Sequence, residues 1–358
     1  MPSLHDPLTL PRGPVWSNRL ALAPLTNKQS HLDGSLSDDE IRWLVARARG
    51  GMGMVMTAAA FVARSGNAWA GQLGVHEDAM LPGLTRLADE IRTAGAVSSV
   101  QLHHGGIRND AGVSGLPLVG PHDDEKTGGR ALTTAEVQQL VDDFVTAAQR
   151  CDRAGFDGVE VHGAHGYLIC AFLSSKNQRT DGYGGSLADR ERFLREIVHG
   201  IRETTRPDFQ VGLRLTPERM GIELSDAVET ARWALDSGLL DYLDMSLWDV
   251  RKEPLEPAYA GTRLIDHFVS LDRGETRLTV AGKILGAADA QWCLDNGADA
   301  AVIGTGAILQ HDFAARALAD PDFVSVDQPV TRQHLEREHL GAPFINYLAT
   351  GWKDFVKA

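Results

Sequence analysis

Cysteine is scarce in this chain. Only Cys151, Cys170 and Cys293 occur, far apart and without metal-type spacing. So sparse and odd a set suits a reducing compartment and argues against a disulfide framework. Long apolar runs are missing as well: none reaches the roughly 18 to 20 residues of a membrane span. Basic residues are outnumbered, 35 Lys and Arg against 48 Asp and Glu, for a net charge of −13. That balance argues against nucleic acid or an anionic membrane as partner, although a local anion site needs only a few donors. The opening MPSLHDPLTLPRGP has neither a basic start nor an apolar core. No signal peptide is expected, and the chain reads as cytoplasmic. No low-complexity tract, charge block or Pro/Gly/Ser-rich linker interrupts it, so residues 1–358 read as one domain.

What is present is a repeating unit: a short apolar strand, then an amphipathic helix. Strands are predicted at Leu20–Leu25, Met52–Ala58, Val97–Leu102, Gly158–His162, Gln210–Arg214, Tyr242–Ser246, Leu278–Ala281 and Ala300–Ile303. Helices are predicted at Asp38–Arg49, Leu81–Ala94, Thr133–Ala154, Leu187–Thr204, Leu224–Ser237, Arg263–Val269, Ala287–Asn296 and His311–Ala319. Thr133 and Glu136 have capping-box spacing, and Ser225-Asp226 reads as another helix start. Gly95, Gly155, Gly238 and Gly297 each follow a helical run, where a left-handed terminator is favoured. Strands apolar nearly throughout are parallel and buried on both faces. Eight strand–helix pairs close a single (β/α)8 TIM barrel; a doubly wound open sheet is the alternative.

In a barrel the chemistry sits where strands end. The densest set follows the fourth strand, in GFDGVEVHGAHGYLICAFLSSKNQRTDGYGGS, which delivers His162, His165 and Tyr167 within six residues. His162 and His165 admit three readings: satisfied core imidazoles, metal ligands still wanting a third partner, or donors to one substrate oxygen on which charge develops. Tyr167 is either a packing tyrosine or a proton donor. His103 and His104 read as lining the mouth. The polar NQRTDGYGGS loop reads as a brace, with Arg179, Asp181 and Arg190 pairing and glycines turning it.

The ordered set APLTN, GGMGMVMTAAA, VQLHHGG, HGAHGYL…NQRTDGYGGS, VGLRLTP and VAGKI…ADAAVIGTGAI resembles the Old Yellow Enzyme family of FMN-dependent ene-reductases. The likeness runs from about Ala21 to Asp320, and the HGAHGYL…NQRTDGYGGS block is its most specific part. The resemblance implies non-covalent FMN at the barrel mouth and NAD(P)H as reductant. It implies an electrophilic alkene as the small-molecule substrate, reduced in a ping-pong cycle. His162 and His165 would hold the substrate's activating oxygen, and Tyr167 would supply the proton unless solvent does. Arg214 would face the flavin N1 and C2 oxygen, and Gln101 its pyrimidine edge. Thr26 would lie near the C4 oxygen, with Ala23, Pro24, Leu25 and Ala59 lining the ring. Lys28 stands where some relatives carry a substrate-touching tyrosine.

One position departs from the family. Thr305 follows Gly304 where an arginine is usual, so the phosphate would rest on Gly282, Gly304, Thr305 and nearby N–H groups, with Lys283 as a substitute cation. The tail, about 335–358, is amphipathic and aromatic; it packs on the barrel or reaches a neighbouring subunit in a homo-oligomer. A metal-dependent barrel hydrolase or lyase, and a non-enzymatic flavin-binding module, are the competing functions.

Overall fold

The computed structural model describes residues 2–357. Eight parallel strands form a closed barrel: β1 (Leu20–Leu22), β2 (Met54–Phe61), β3 (Val97–His103), β4 (Gly158–Gly163), β5 (Gln210–Leu215), β6 (Tyr242–Ser246), β7 (Arg277–Ala281) and β8 (Ala300–Ile303). Each pairs with its sequence neighbours, and β8 returns to β1 through Leu20–Leu22 against Ala301–Ile303. The outer helices are α1 (Asp38–Arg49), α2 (Leu81–Thr93), α3 (Thr134–Arg153), α4 (Leu187–Thr204), α5 (Leu224–Asp236), α6 (Asp266–Val269), α7 (Ala287–Asp295) and α8 (Phe313–Ala319).

Local chemistry sets their ends. Ser37 and Ser186 cap α1 and α4 by accepting from Glu40 and Asp189 N–H. Thr133 and Glu136 form the reciprocal box on α3. Gly95, Gly155, Gly238 and Gly297 all have the left-handed φ the sequence predicts, between 67° and 101°. The expected Ser225-Asp226 start is corrected. The cap of α5 is Glu223, the carboxylate of Glu256 accepts the Leu224 N–H at 2.6 Å, and Asp226 is drawn away to Arg190.

Alternation sorts the strand residues. Val100, Leu102, Val159, Val161, Val211, Leu213, Leu243 and Met245 face the helices and join the large apolar core. The opposite stripe faces the barrel interior. At the N-terminal end it is apolar and plugged by Trp16, which stacks edge-on against Tyr242 at 5.5 Å. Toward the C-terminal end it carries Ser99, Gln101, Glu160, His162, Arg214, Asp244 and Ser246, all buried. The strand bodies are therefore not apolar throughout, as the sequence suggests. The register places Gln101 beside Glu160, His162 beside Arg214, and Arg214 beside Asp244. Gly212 leaves room for Tyr242: a Cβ there would lie 2.1 Å from the tyrosine ring.

The tail adds α9 (Arg332–Arg337) and α10 (Ala342–Gly351). It packs on its own barrel, with Phe344 edge-on to Trp43 at 5.4 Å and the Gly341 N–H donating to Gln29 at 2.7 Å. The NQRTDGYGGS loop is a brace. Arg179 grips Asp181 and the Pro121 carbonyl, and Asn177 donates to the carbonyls of Phe172 and Tyr183. No helix among the described residues is long and apolar enough to cross a membrane.

Candidate active site

A cavity of about 360 Å³ opens at the C-terminal mouth. Pro24, Leu25 and Thr26 from the loop after β1, and Ala59 from β2, line part of it. Gln101 contributes from β3, and His162, His165 and Tyr167 from β4 and its loop. Trp69, Arg108, Met220, Trp248, Tyr347 and Trp352 complete the lining. None of these last six is marked as a site residue by the sequence. Trp248 lies just past the end of β6, where a barrel strand delivers residues to the mouth, and that position is its one local signal. Tyr347 and Trp352 belong to the aromatic tail.

The imidazoles and phenol form a contiguous group. Ring centroids lie 5.2 Å apart for His162 and His165, and again 5.2 Å for His162 and Tyr167. His103 is 4.4 Å from Tyr167. His103 is the last residue of β3, fully buried and hydrogen-bonded to Gln72 at 3.0 Å. This corrects its expected place at the mouth. His104 is engaged elsewhere: its Nδ1 accepts the Gly106 N–H and its Nε2 lies 3.1 Å from Ser65 Oγ.

A backbone hydrogen bond sets the proton position on His162. The Ala164 N–H donates to His162 Nδ1 at 3.2 Å, so the neutral ring carries its proton on Nε2. Ser246 Oγ accepts from Arg214 at 3.4 Å and lies 2.9 Å from His165 Nε2. Burial, then the neighbouring His165, holds His162 well below the usual imidazole range. Burial, then Arg214, brings His165 down to about 3. Both rings are therefore neutral near neutral pH. Burial raises the Tyr167 phenol, opposed by the Arg108 guanidinium.

Beneath the cavity lies a buried charged layer. Gln101 Nε2 donates to Glu160 at 2.7 Å. Arg214 pairs with Asp244. Burial, then the charge of Asp244, pushes Glu160 up to about 8. Glu160 therefore keeps its proton at neutral pH, leaving Arg214 and Asp244 as the compensated pair. Arg214 Nε is buried without a hydrogen-bond partner among the described residues.

Several mouth residues have left-handed backbones: Lys28 (φ 56°), His165 (φ 61°), Arg219 (φ 70°) and Trp248 (φ 65°). Such conformations cost on the order of 1–3 kcal/mol each and cluster at functional sites. His165 is held there by its N–H bond to Thr216 Oγ1, 2.8 Å long.

The other sequence candidates lie around this centre. Ala23 is buried beside the cavity loop. A Cβ on Gly304 would come within 3.7 Å of Leu25 and 3.9 Å of Ala23, so the end of β8 adjoins that loop. Thr305 opens a five-residue helix behind Gly304. Gly282 has φ 151°, and a Cβ there would meet the Asp249 backbone N at 2.8 Å. Its lack of a side chain serves that backbone contact. Lys283 is mostly exposed, does not line the cavity, and pairs with Asp249 at 3.1 Å. Lys28 sits 5.0 Å over the Tyr347 ring. Among the described residues, no group of three or more His, Cys, Asp or Glu side chains could hold a metal.

This arrangement suits a flavin ring. Apolar backbone walls line one side, Gln101 and Thr26 offer polar groups to an edge, and the orphaned Arg214 Nε is a buried donor awaiting an acceptor. A parallel barrel with that donor set at its mouth defines a flavin-dependent oxidoreductase barrel. Residues 3–324 match the NADH:flavin oxidoreductase / NADH oxidase family model. A probable NADH-dependent flavin oxidoreductase of Bacillus subtilis, YqiG, is 35% identical, covering 98% of this chain and 97% of that protein. The NADH:fumarate oxidoreductase of Klebsiella pneumoniae is 32% identical over 88% of this chain, which spans only 36% of that longer protein. The Old Yellow Enzyme homologue of Zymomonas mobilis superposes with a TM-score of 0.80 at 25% identity, covering 93% of this chain and 96% of its own. The chain belongs to the NADH:flavin oxidoreductase / NADH oxidase family, of the Old Yellow Enzyme type. It is an NAD(P)H-dependent flavin oxidoreductase that holds FMN non-covalently.

Proposed function

We propose that the protein reduces the C=C bond of an electron-poor alkene, such as an α,β-unsaturated carbonyl, in a ping-pong cycle with NAD(P)H. The observation that carries this reading is the pair of neutral imidazoles, His162 and His165, beside Tyr167 on one cavity wall. The similarity to a fumarate reductase supports it, since fumarate is a double bond activated by carboxyl groups.

FMN held against Pro24, Leu25, Thr26, Ala59 and Gln101 would supply the hydride chemistry that links NAD(P)H to the β-carbon of the alkene. His162 Nε2–H and His165 donate to the oxygen that activates the double bond. They favour the charge that builds there as hydride arrives. Tyr167 gives its phenolic proton to the α-carbon, and burial keeps that proton in place until it is needed. Gln101 and Thr26 would hold the polar edge of the ring, and Arg214, buried beneath the cavity with Nε unpartnered, would favour the negative charge that collects on the reduced flavin. Pro24, Leu25 and Ala59 wall the ring, with Ala23 behind them. Gly304 and Thr305 support the phosphate, Gly282 shapes the adjoining turn, and Lys283 is at most an outer cation because Asp249 already holds it.

The direct test is optical. Purified holoenzyme should be yellow, bleach with NADH or NADPH, and regain its colour on adding cyclohexenone without oxygen. Failure of the enone to restore the colour overturns the alkene reading.

A further inference from the structure

In a chain of net charge −13, most arginines are tied to carboxylates or backbone carbonyls. Three cations at the mouth have no carboxylate partner among the described residues. These are Lys28, Arg108 and Arg219, from the loops after β1, β3 and β5. The nearby acids are engaged elsewhere: Glu218 by Lys252, and Asp249 by Lys283.

Each cation lies over an aromatic ring that lines the cavity. Lys28 Nζ is 5.0 Å from the Tyr347 centroid, Arg108 Cζ is 4.9 Å from Tyr167, and Arg219 Cζ is 4.8 Å from Trp248. Arg108 is also fixed by donating to the His165 carbonyl. Lys28, Arg219 and Trp248 all hold left-handed backbones, so the chain accepts strain to set these side chains where they are. A second cavity of about 330 Å³ adjoins the first through Arg108 and Met220. It adds Lys176 and His122, with Asp124 the one carboxylate in its lining.

We propose that Lys28, Arg108 and Arg219 form a cationic rim that receives an anionic group, phosphate or carboxylate, on molecules whose reacting end lies against His162, His165 and Tyr167. This rests on that cavity being the catalytic one. The rings preorganise the cations without neutralising them. Guanidinium forks then bind either anion by paired, charge-assisted hydrogen bonds. The neighbouring cavity houses whatever lies beyond the charge. Two sources share this chemistry: the pyrophosphate of the nicotinamide reductant and an acid group on the alkene.

The test is calorimetric binding to FMN-loaded holoenzyme with three unreactive probes. These are 1,4,5,6-tetrahydro-NAD, which carries the pyrophosphate, succinate, and neutral succinamide. In Arg108→Gln and Arg219→Gln the anionic probe that uses the rim should lose affinity about tenfold, the scale of one charge-assisted contact. Succinamide should change less than about twofold, where no charge is lost. Loss for tetrahydro-NAD assigns the rim to the reductant, and loss for succinate assigns it to an acidic alkene. In the unaltered protein, added salt should weaken the same probe. Equal losses for succinamide, or anion affinities indifferent to both substitution and salt, overturn the proposal. Reoxidation by cyclohexenone, which is uncharged, reports separately on the alkene reading.

Discussion

The Ala164 amide proton is directed at His162 Nδ1, and that single 3.2 Å bond decides which edge of the imidazole can donate. A ring satisfied on Nδ1 by a donor must carry its own proton on Nε2. The neighbouring amide therefore prepares the donor, and no titration is required. His162→Ala should retain FMN but slow reoxidation by an enone on the order of 10²-fold or more in stopped-flow. Because His162 is held well below 6.5 and His165 near 3, that rate in the unaltered enzyme should show no inflection near pH 6.5. An imidazole-like step there would mean the rings act as cations.

Tyr167→Phe removes the phenolic proton while keeping the ring that His103 and His162 contact. Enone-dependent reoxidation should fall by about 10²- to 10⁴-fold, the usual span for a positioned general acid. In the unaltered enzyme the donor form persists until pH passes its raised value, above 10, so the rate should decline only beyond that point. A Phe variant as fast as the parent would assign the proton to solvent.

Glu160→Gln addresses the layer under the cavity. The Glu160 carboxyl is raised from 4.5 to about 8 in the folded protein. The folded state then binds a proton the unfolded chain has released. Its contribution to stability is complete below pH 4.5 and is lost as pH rises toward 8. Glutamine keeps the shape without the ionisation. Denaturant midpoints across that window should fall less steeply with pH for the variant than for the parent; parallel curves would refute the protonated carboxyl.

Lys283→Ala should change FMN affinity by no more than about threefold, because an exposed ammonium already paired with Asp249 contributes little. A loss of tenfold or more, by fluorescence titration of the apoprotein, would instead restore this lysine as the missing phosphate cation.

The helices were legible because their ends are written locally. Asp38–Arg49 and Leu187–Thr204 have the predicted limits, each behind a serine cap. The strands were found to within a few residues, but β2 runs on to Phe61 past its predicted end at Ala58, since AAAF carries no stop signal. Of the interior polar stripe, Gln101, His162 and Arg214 were legible at strand ends, but the acids between them were not. Glu160 stands between Val159 and Val161, Asp244 between Leu243 and Met245, and apolar neighbours mask them until the barrel closes. Arg108 and Arg219 gain meaning only through rings from other loops, Tyr167 and Trp248, which no local pattern joins to them.

The turned backbone at His165 limits what evolution can put there. Histidine, asparagine and aspartate are the side-chain-bearing residues that best tolerate φ near 61°, and an ordinary aspartate is ionised at neutral pH and can only accept, whereas the first two can donate. The tolerated vocabulary at this corner of the site thus shrinks to two words, so asparagine is the exchange most compatible with continued turnover.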